Sequence, residues 1–180
     1  MDAGLLVLRL VAGLLIAGHG VQKVSSRLGG HGLAGGTEEF RHDGFRGGRL
    51  TAVVAGTSQI GAGLFLTAGL ITPMAAMAAM GVMGVMGVMT VAGTVKWAKG
   101  LWVQNDGYEY PMVLVVVSVA LALTGPGRWS LDDALGISPW PLWIVLVAIV
   151  IGPVSGLLTR LVLHRRPTAQ ERKPHAQAAD

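Results

Sequence analysis

The 180-residue chain has the length of one ordinary domain, but only 13% of it is Asp, Glu, Lys or Arg, about half the share usual in soluble proteins. With 52% hydrophobic residues and 27 glycines, two thirds of its positions suit lipid or close helix packing, which excludes a soluble single-core domain. The net charge of +4 does not point to nucleic acid, because the basic residues lie between hydrophobic runs and form no basic face with stacking aromatics.

A bilayer core of about 30 Å takes roughly 20 apolar residues per helix, and five runs approach that size. The first extends from Gly4 to Val24. Its acidic start at Asp2, its interruption by Arg9 and the lack of a small-residue cleavage site mark it as a retained helix and not a signal peptide. The stretch from Ser25 to Arg49 is rich in glycine and carries Leu28, Leu33, Phe40 and Phe45. Thr37 ahead of Glu38 and Glu39 could cap a short interfacial helix here, a disordered linker being the alternative. The second run, Leu50 to Ile71, and the third, Pro73 to Val95, are joined at Thr72 and Pro73, which predicts a tight helical hairpin.

Within the third run Met74, Met77, Met80, Met83, Met86 and Met89 recur every three residues. Three residues advance an α-helix by about 300°, so the series winds around it and collects on no face. A packing helix accounts for it better than a copper relay. The fourth run, Pro111 to Thr124, reaches only about 21 Å at 1.5 Å per residue and must borrow Tyr108, Glu109 and Tyr110. The fifth, Trp140 to Leu163, has Trp140 and Trp143 as interfacial anchors and Arg160 placed to snorkel. Five spans put twelve of the fourteen Lys and Arg on one side, all but Arg9 and Arg128. The positive-inside rule then places the N-terminus outside and the polar tail, expected to be disordered, in the cytoplasm.

Ionisable groups at membrane depth usually face the bundle interior. Arg9, Gly13, Ile16, Gly20 and Lys23 form one stripe of the first helix, with His19 beside it; Ala52, Gly56, Gln59 and Gly63 share a face of the second. These faces are expected to meet. Alternating helix direction brings His19, Gln22, Lys23, Gln59, Lys96, Trp97, Tyr108, Glu109 and Tyr110 into one leaflet, which predicts a polar cavity there. A quinone headgroup, with two carbonyl acceptors and a flat ring, would suit it; so would a small hydrophobic solute. Each residue also has an ordinary reading: Lys23 as a snorkelling cation, His19 as a packed histidine, Gln59 as interhelical glue, and Trp97, Tyr108 and Tyr110, with Trp102, as an aromatic belt. His31, Glu38 and His42 show no strong metal spacing, and no metal site is expected.

The segment Arg9-Leu-Val-Ala-Gly13, then His19-Gly20 and Gln22-Lys23, resembles the first-helix signature of the DoxX family, a pattern like R-x-x-x-G…H-G-x-x-K. The glycine-rich stretch from Gly29 to Phe40, Gly61-Ala-Gly63 with Gly69, Gly107-Tyr108-Glu109-Tyr110-Pro111, and Gly125-Pro-Gly127-Arg128-Trp-Ser130-Leu-Asp132 continue the resemblance in order. It covers residues 5 to 135. The resemblance implies an all-α integral membrane protein: a four-helix core over residues 1–136, to which this chain adds a fifth transmembrane helix (137–163) and a basic tail (164–180). It also implies a place in the bacterial plasma membrane and kinship with subunits of a membrane thiosulfate:quinone oxidoreductase. Where the family commonly shows a glutamate in the second helix, this chain has Gln59, whose amide has no titratable proton to carry.

Three functions remain open: a membrane subunit of a redox assembly linked to quinone and to sulfur, thiol or oxidative-stress chemistry; a non-catalytic anchor or assembly partner; and a small-solute transporter. Without cysteine, a redox subunit must rely on a bound cofactor, a respiratory quinone being the candidate, and on a soluble or membrane redox protein as partner.

Overall fold

The computed structural model describes residues 1–42, 45–82, 102 and 109–163. The remainder of the third run with Met83, Met86 and Met89, the candidates Lys96, Trp97 and Tyr108, and the tail from 164 lie outside the described residues. All regular structure among the described residues is helical: α1 (Asp2–Val24), α2 (Gly32–His42), α3 (Arg49–Ala68), α4 (Thr72–Ala79), α5 (Glu109–Thr124), α6 (Leu131–Ala134) and α7 (Leu142–Leu163). Of these, α1, α3 and α7 are long and apolar enough to cross a membrane, whereas α5 and the helix Thr72–Val82 are shorter apolar segments. Leu146, Val150, Leu158 and Leu161 on α7 and Val7, Val11 and Leu14 on α1 stay exposed. Apolar surface on this scale is stable only against lipid.

The antiparallel pair α1 and α3 makes the largest helix contact. Small residues allow it: a methyl group on Gly13 would lie 2.6 Å from the Gly63 carbonyl oxygen, and one on Gly20 would lie 2.8 Å from the Ile60 nitrogen. The buried stripe of α1 comprises Arg9, Gly13, Ile16, Gly20 and Lys23 together with Ala12 and Ala17. It faces Ala52, Gly56, Gln59 and Gly63 of α3. The main core continues through Leu66, Ala76, Met80, Leu114 and Leu121 to Val145 on α7.

Two ends of the bundle differ in character. At the hairpin end, Gly69 closes α3 in the left-handed conformation (φ 63°), with Leu70 N–H on the Phe65 carbonyl at 2.9 Å, and Pro73 opens α4. At the basic end, α2 folds back beneath α1, and a second apolar cluster forms from Phe40, Phe45, Ala52 and Ala55. The helix in this connection starts earlier than a Thr37 cap would place it. Thr37 sits within α2 and donates to the Leu33 carbonyl, so the residue is back-bonded and not capping.

Candidate functional site

The basic end holds a half-open polar cavity of about 350 Å³ lined by α1, the glycine-rich connection and α2. Its wall from α1 is His19, Gln22 and Lys23, which fall on adjoining positions of the last two turns. The opposite wall is largely backbone, at Gly29, Gly30, Gly35 and Gly36, with His31 and Glu39 supplying side chains. Glycine lets this wall approach α1: a methyl group on Gly30 would stand 2.5 Å from the Ser25 carbonyl oxygen.

The polar groups are individually held. Lys23 Nζ lies 2.7 Å from Glu39 Oε1 and 5.0 Å from the centre of the Phe40 ring, an ion pair backed by a cation–π contact. Gln22 Nε2 donates to the Leu28 carbonyl at 2.7 Å, which fixes the start of the connection against α1. The His19 ring meets the Tyr110 ring of α5 at 5.4 Å between centroids, tilted by 43°. This contact ties the beginning of α5 to the end of α1 beside the cavity.

Of the residues expected in one polar cavity, His19, Gln22 and Lys23 line it, and Tyr110 meets the His19 ring from outside the lining. Gln59 is buried in the α1–α3 seam, where a methyl group on Gly20 would come within 2.9 Å of its Cβ, and it does not line the cavity. Glu109 is the first residue of α5, partly buried, and also stands outside the lining. Glu39, Phe40 and His31 join the site without having been singled out as its members. Phe40 was visible as an apolar residue in a glycine-rich stretch, but the pairing of Lys23 with Glu39 follows from no local periodicity.

A second polar cluster occupies the hairpin end and gathers the remaining motif residues. Asp132 is fully buried; its carboxylate accepts from Ile71 N–H at 2.6 Å, Thr72 N–H at 3.0 Å and Trp140 Nε1–H at 2.9 Å. It thereby caps α4, holds Ile71 at a positive φ of 42° that a β-branched residue rarely adopts, and fastens the approach to α7. Arg9 is equally buried; its Nη2 donates to the Trp129 carbonyl, and its charge and that of Asp132 attract. Ser130 caps α6 through the Asp133 N–H and donates to the Gly127 carbonyl, while Asp2 accepts from Arg128 N–H. Gly127, Arg128, Ser130 and Asp132 thus act as a structural clasp. Trp140, expected as an interfacial anchor, contributes a hydrogen bond to it.

These features define a helical membrane protein with a buried charge clasp at one end and a half-open polar cavity at the other. A family model for DoxX matches residues 4–92, and the chain belongs to the DoxX family. No curated protein and no solved structure matches it.

Proposed function

We propose that the chain is the membrane subunit of a redox assembly and that the cavity beside His19 receives a quinone headgroup, with electrons supplied by a partner protein. The observation that carries this reading is the His19–Tyr110 ring pair at the edge of a polar cavity that also contains the Lys23–Glu39 ion pair. A volume of about 350 Å³ falls within the range of about 300–1,000 Å³ typical of small-molecule sites. The residues fit the ligand: His19, His31 and Lys23 carry N–H donors for ring carbonyls, and the glycine backbone leaves a wall that a flat ring can approach. Bound quinone would supply two-electron acceptor chemistry. For its part, the protein would orient the ring against His19 and keep Lys23 positioned through Glu39. Glu39, with a side chain 53% exposed, links the site to water and so to a proton source.

The test is titration of a short-tailed quinone into the purified chain in lipid nanodiscs, read by calorimetry, beside His19→Ala and Tyr110→Leu. Saturable binding weakened by both variants, with helix content unchanged, is the expected result. A folded wild-type chain with no saturable binding overturns the proposal. A second reading, an anchor that recruits a soluble protein, draws on the exposed charges of Arg27, Glu38 and Arg41 around α2. Full cellular function in the His19→Ala variant would favour it.

A further inference from the structure

A separate groove opens at the basic end between α3, α4 and α7. Higher up, α4 and α7 touch backbone to backbone: a methyl group on Gly152 would lie 2.8 Å from the Met77 carbonyl oxygen, and one on Gly81 3.1 Å from that of Gly152. Toward the basic end α7 leans away onto the α2–α3 connection, where the Leu163 carbonyl accepts from Arg46 N–H at 2.7 Å. The space left is a half-open groove of about 420 Å³, with walls that include Leu50, Val54, Ala78, Val82 and Leu163.

Three of the four hydroxyls in its lining, all but that of Ser58, are engaged within the protein. Thr51 donates to the Arg46 carbonyl at 2.6 Å, Ser155 to the Gly152 carbonyl at 2.7 Å and Thr159 to the Ser155 carbonyl at 2.8 Å, so each is turned back onto backbone. What remains, apart from the Ser58 hydroxyl, is a hydrocarbon surface facing the bilayer. Three arginines adjoin the lining along the chain: Arg46 and Arg49 flank Gly47 and Leu50, and Arg160 stands four residues from Gly156 on the same face of α7. None of the three forms an ion pair with a carboxylate among the described residues.

We propose that this groove holds one acyl chain of an anionic phospholipid whose phosphate rests among Arg46, Arg49 and Arg160, and that this lipid fills the gap between α7 and the α3–α4 hairpin. The acyl chain satisfies the apolar walls and the headgroup phosphate pairs with the three arginines. The site is independent of the redox reading, because it shares no residue with the cavity beside His19.

The experiment is native mass spectrometry of the full chain released from nanodiscs containing equal phosphatidylglycerol and phosphatidylcholine. The expected result is preferential retention of one phosphatidylglycerol. Replacing Arg46, Arg49 and Arg160 by Gln should erode the preference by roughly fivefold per arginine. Val54→Trp, at a groove position 54% exposed, should displace the lipid whatever its headgroup; Thr159→Trp serves in its place if that variant loses helix content. Equal retention of the two lipids overturns the proposal, and so does retention unchanged by the folded groove-filling variant.

Discussion

Asp132→Asn tests the clasp at the hairpin end. The carboxylate accepts three hydrogen bonds while fully buried, and it is the negative charge facing the buried Arg9 guanidinium. An asparagine amide keeps one acceptor oxygen, so at least one of the Ile71, Thr72 and Trp140 donors is orphaned. A lost hydrogen bond to a charged group costs about 1.5–3 kcal/mol; Arg9 and Asp132 attract across more than the 4 Å of an ion pair, so the lost hydrogen bond sets the scale. A net loss of about 2–3 kcal/mol is expected. Equilibrium unfolding in mixed micelles, followed by helix circular dichroism, measures it. Arg9→Met combined with Asp132→Asn should recover part of the loss, with a coupling of about 1 kcal/mol or more. A cost for Asp132→Asn below about 1 kcal/mol, or strict additivity with Arg9→Met, would refute the clasp.

Gly63→Ala should destabilise the α1–α3 seam by about 1–3 kcal/mol, because its new methyl would sit 2.8 Å from the Ala17 Cβ; a melting temperature equal to wild type would show that the helices can part without cost. For Lys23→Gln and Glu39→Gln, a double-mutant cycle should give a coupling below about 1 kcal/mol, since Glu39 is half exposed. That coupling should shrink further as salt is raised, and a larger, salt-insensitive value would mean that the pair is shielded from water.

Helix periodicity alone makes the seam legible in the sequence. The spacing of Arg9, Gly13, Gly20 and Lys23, and of Gly56, Gln59 and Gly63, identifies which faces carry small residues, and those are the faces buried against each other. Boundaries were harder to read. The expected second span ran to Ile71, whereas Gly69 ends α3 at Ala68. Gly69 also has to be small for a reason no hydropathy pattern carries: a methyl there would meet Arg9, 60 positions earlier in the chain. The clasp escaped for the same reason. Ser130-Leu-Asp132 reads locally as a capped turn, and only the fold brings Asp132 to the start of α4 and the Trp140 ring. At the basic end, Lys23 was visible as a buried cation but its counter-charge was not, because Glu39 reaches it through a connection whose path depends on glycines at 29, 30, 35 and 36.

The asymmetry between the two ends bears on where function can lie. At the hairpin end, Asp132 ties α4, α6 and the entry to α7 in one point, and Arg9 adds α1. Any ligand entering there would have to break several buried hydrogen bonds at once, each costly in low dielectric. The basic end is built the other way. Its ion pair is half exposed, its cavity wall is glycine backbone, and α7 is fastened to the α2–α3 connection by the backbone bond from Arg46 to Leu163. The contacts that hold this end, the Lys23–Glu39 pair and the Gln22 bond to the Leu28 carbonyl, are separate from the clasp. A membrane protein that admits a ligand without losing its fold needs such a division, and the motif residues divide in the same way: Arg9, Gly127, Ser130 and Asp132 hold the bundle, while His19 and Lys23 line the cavity.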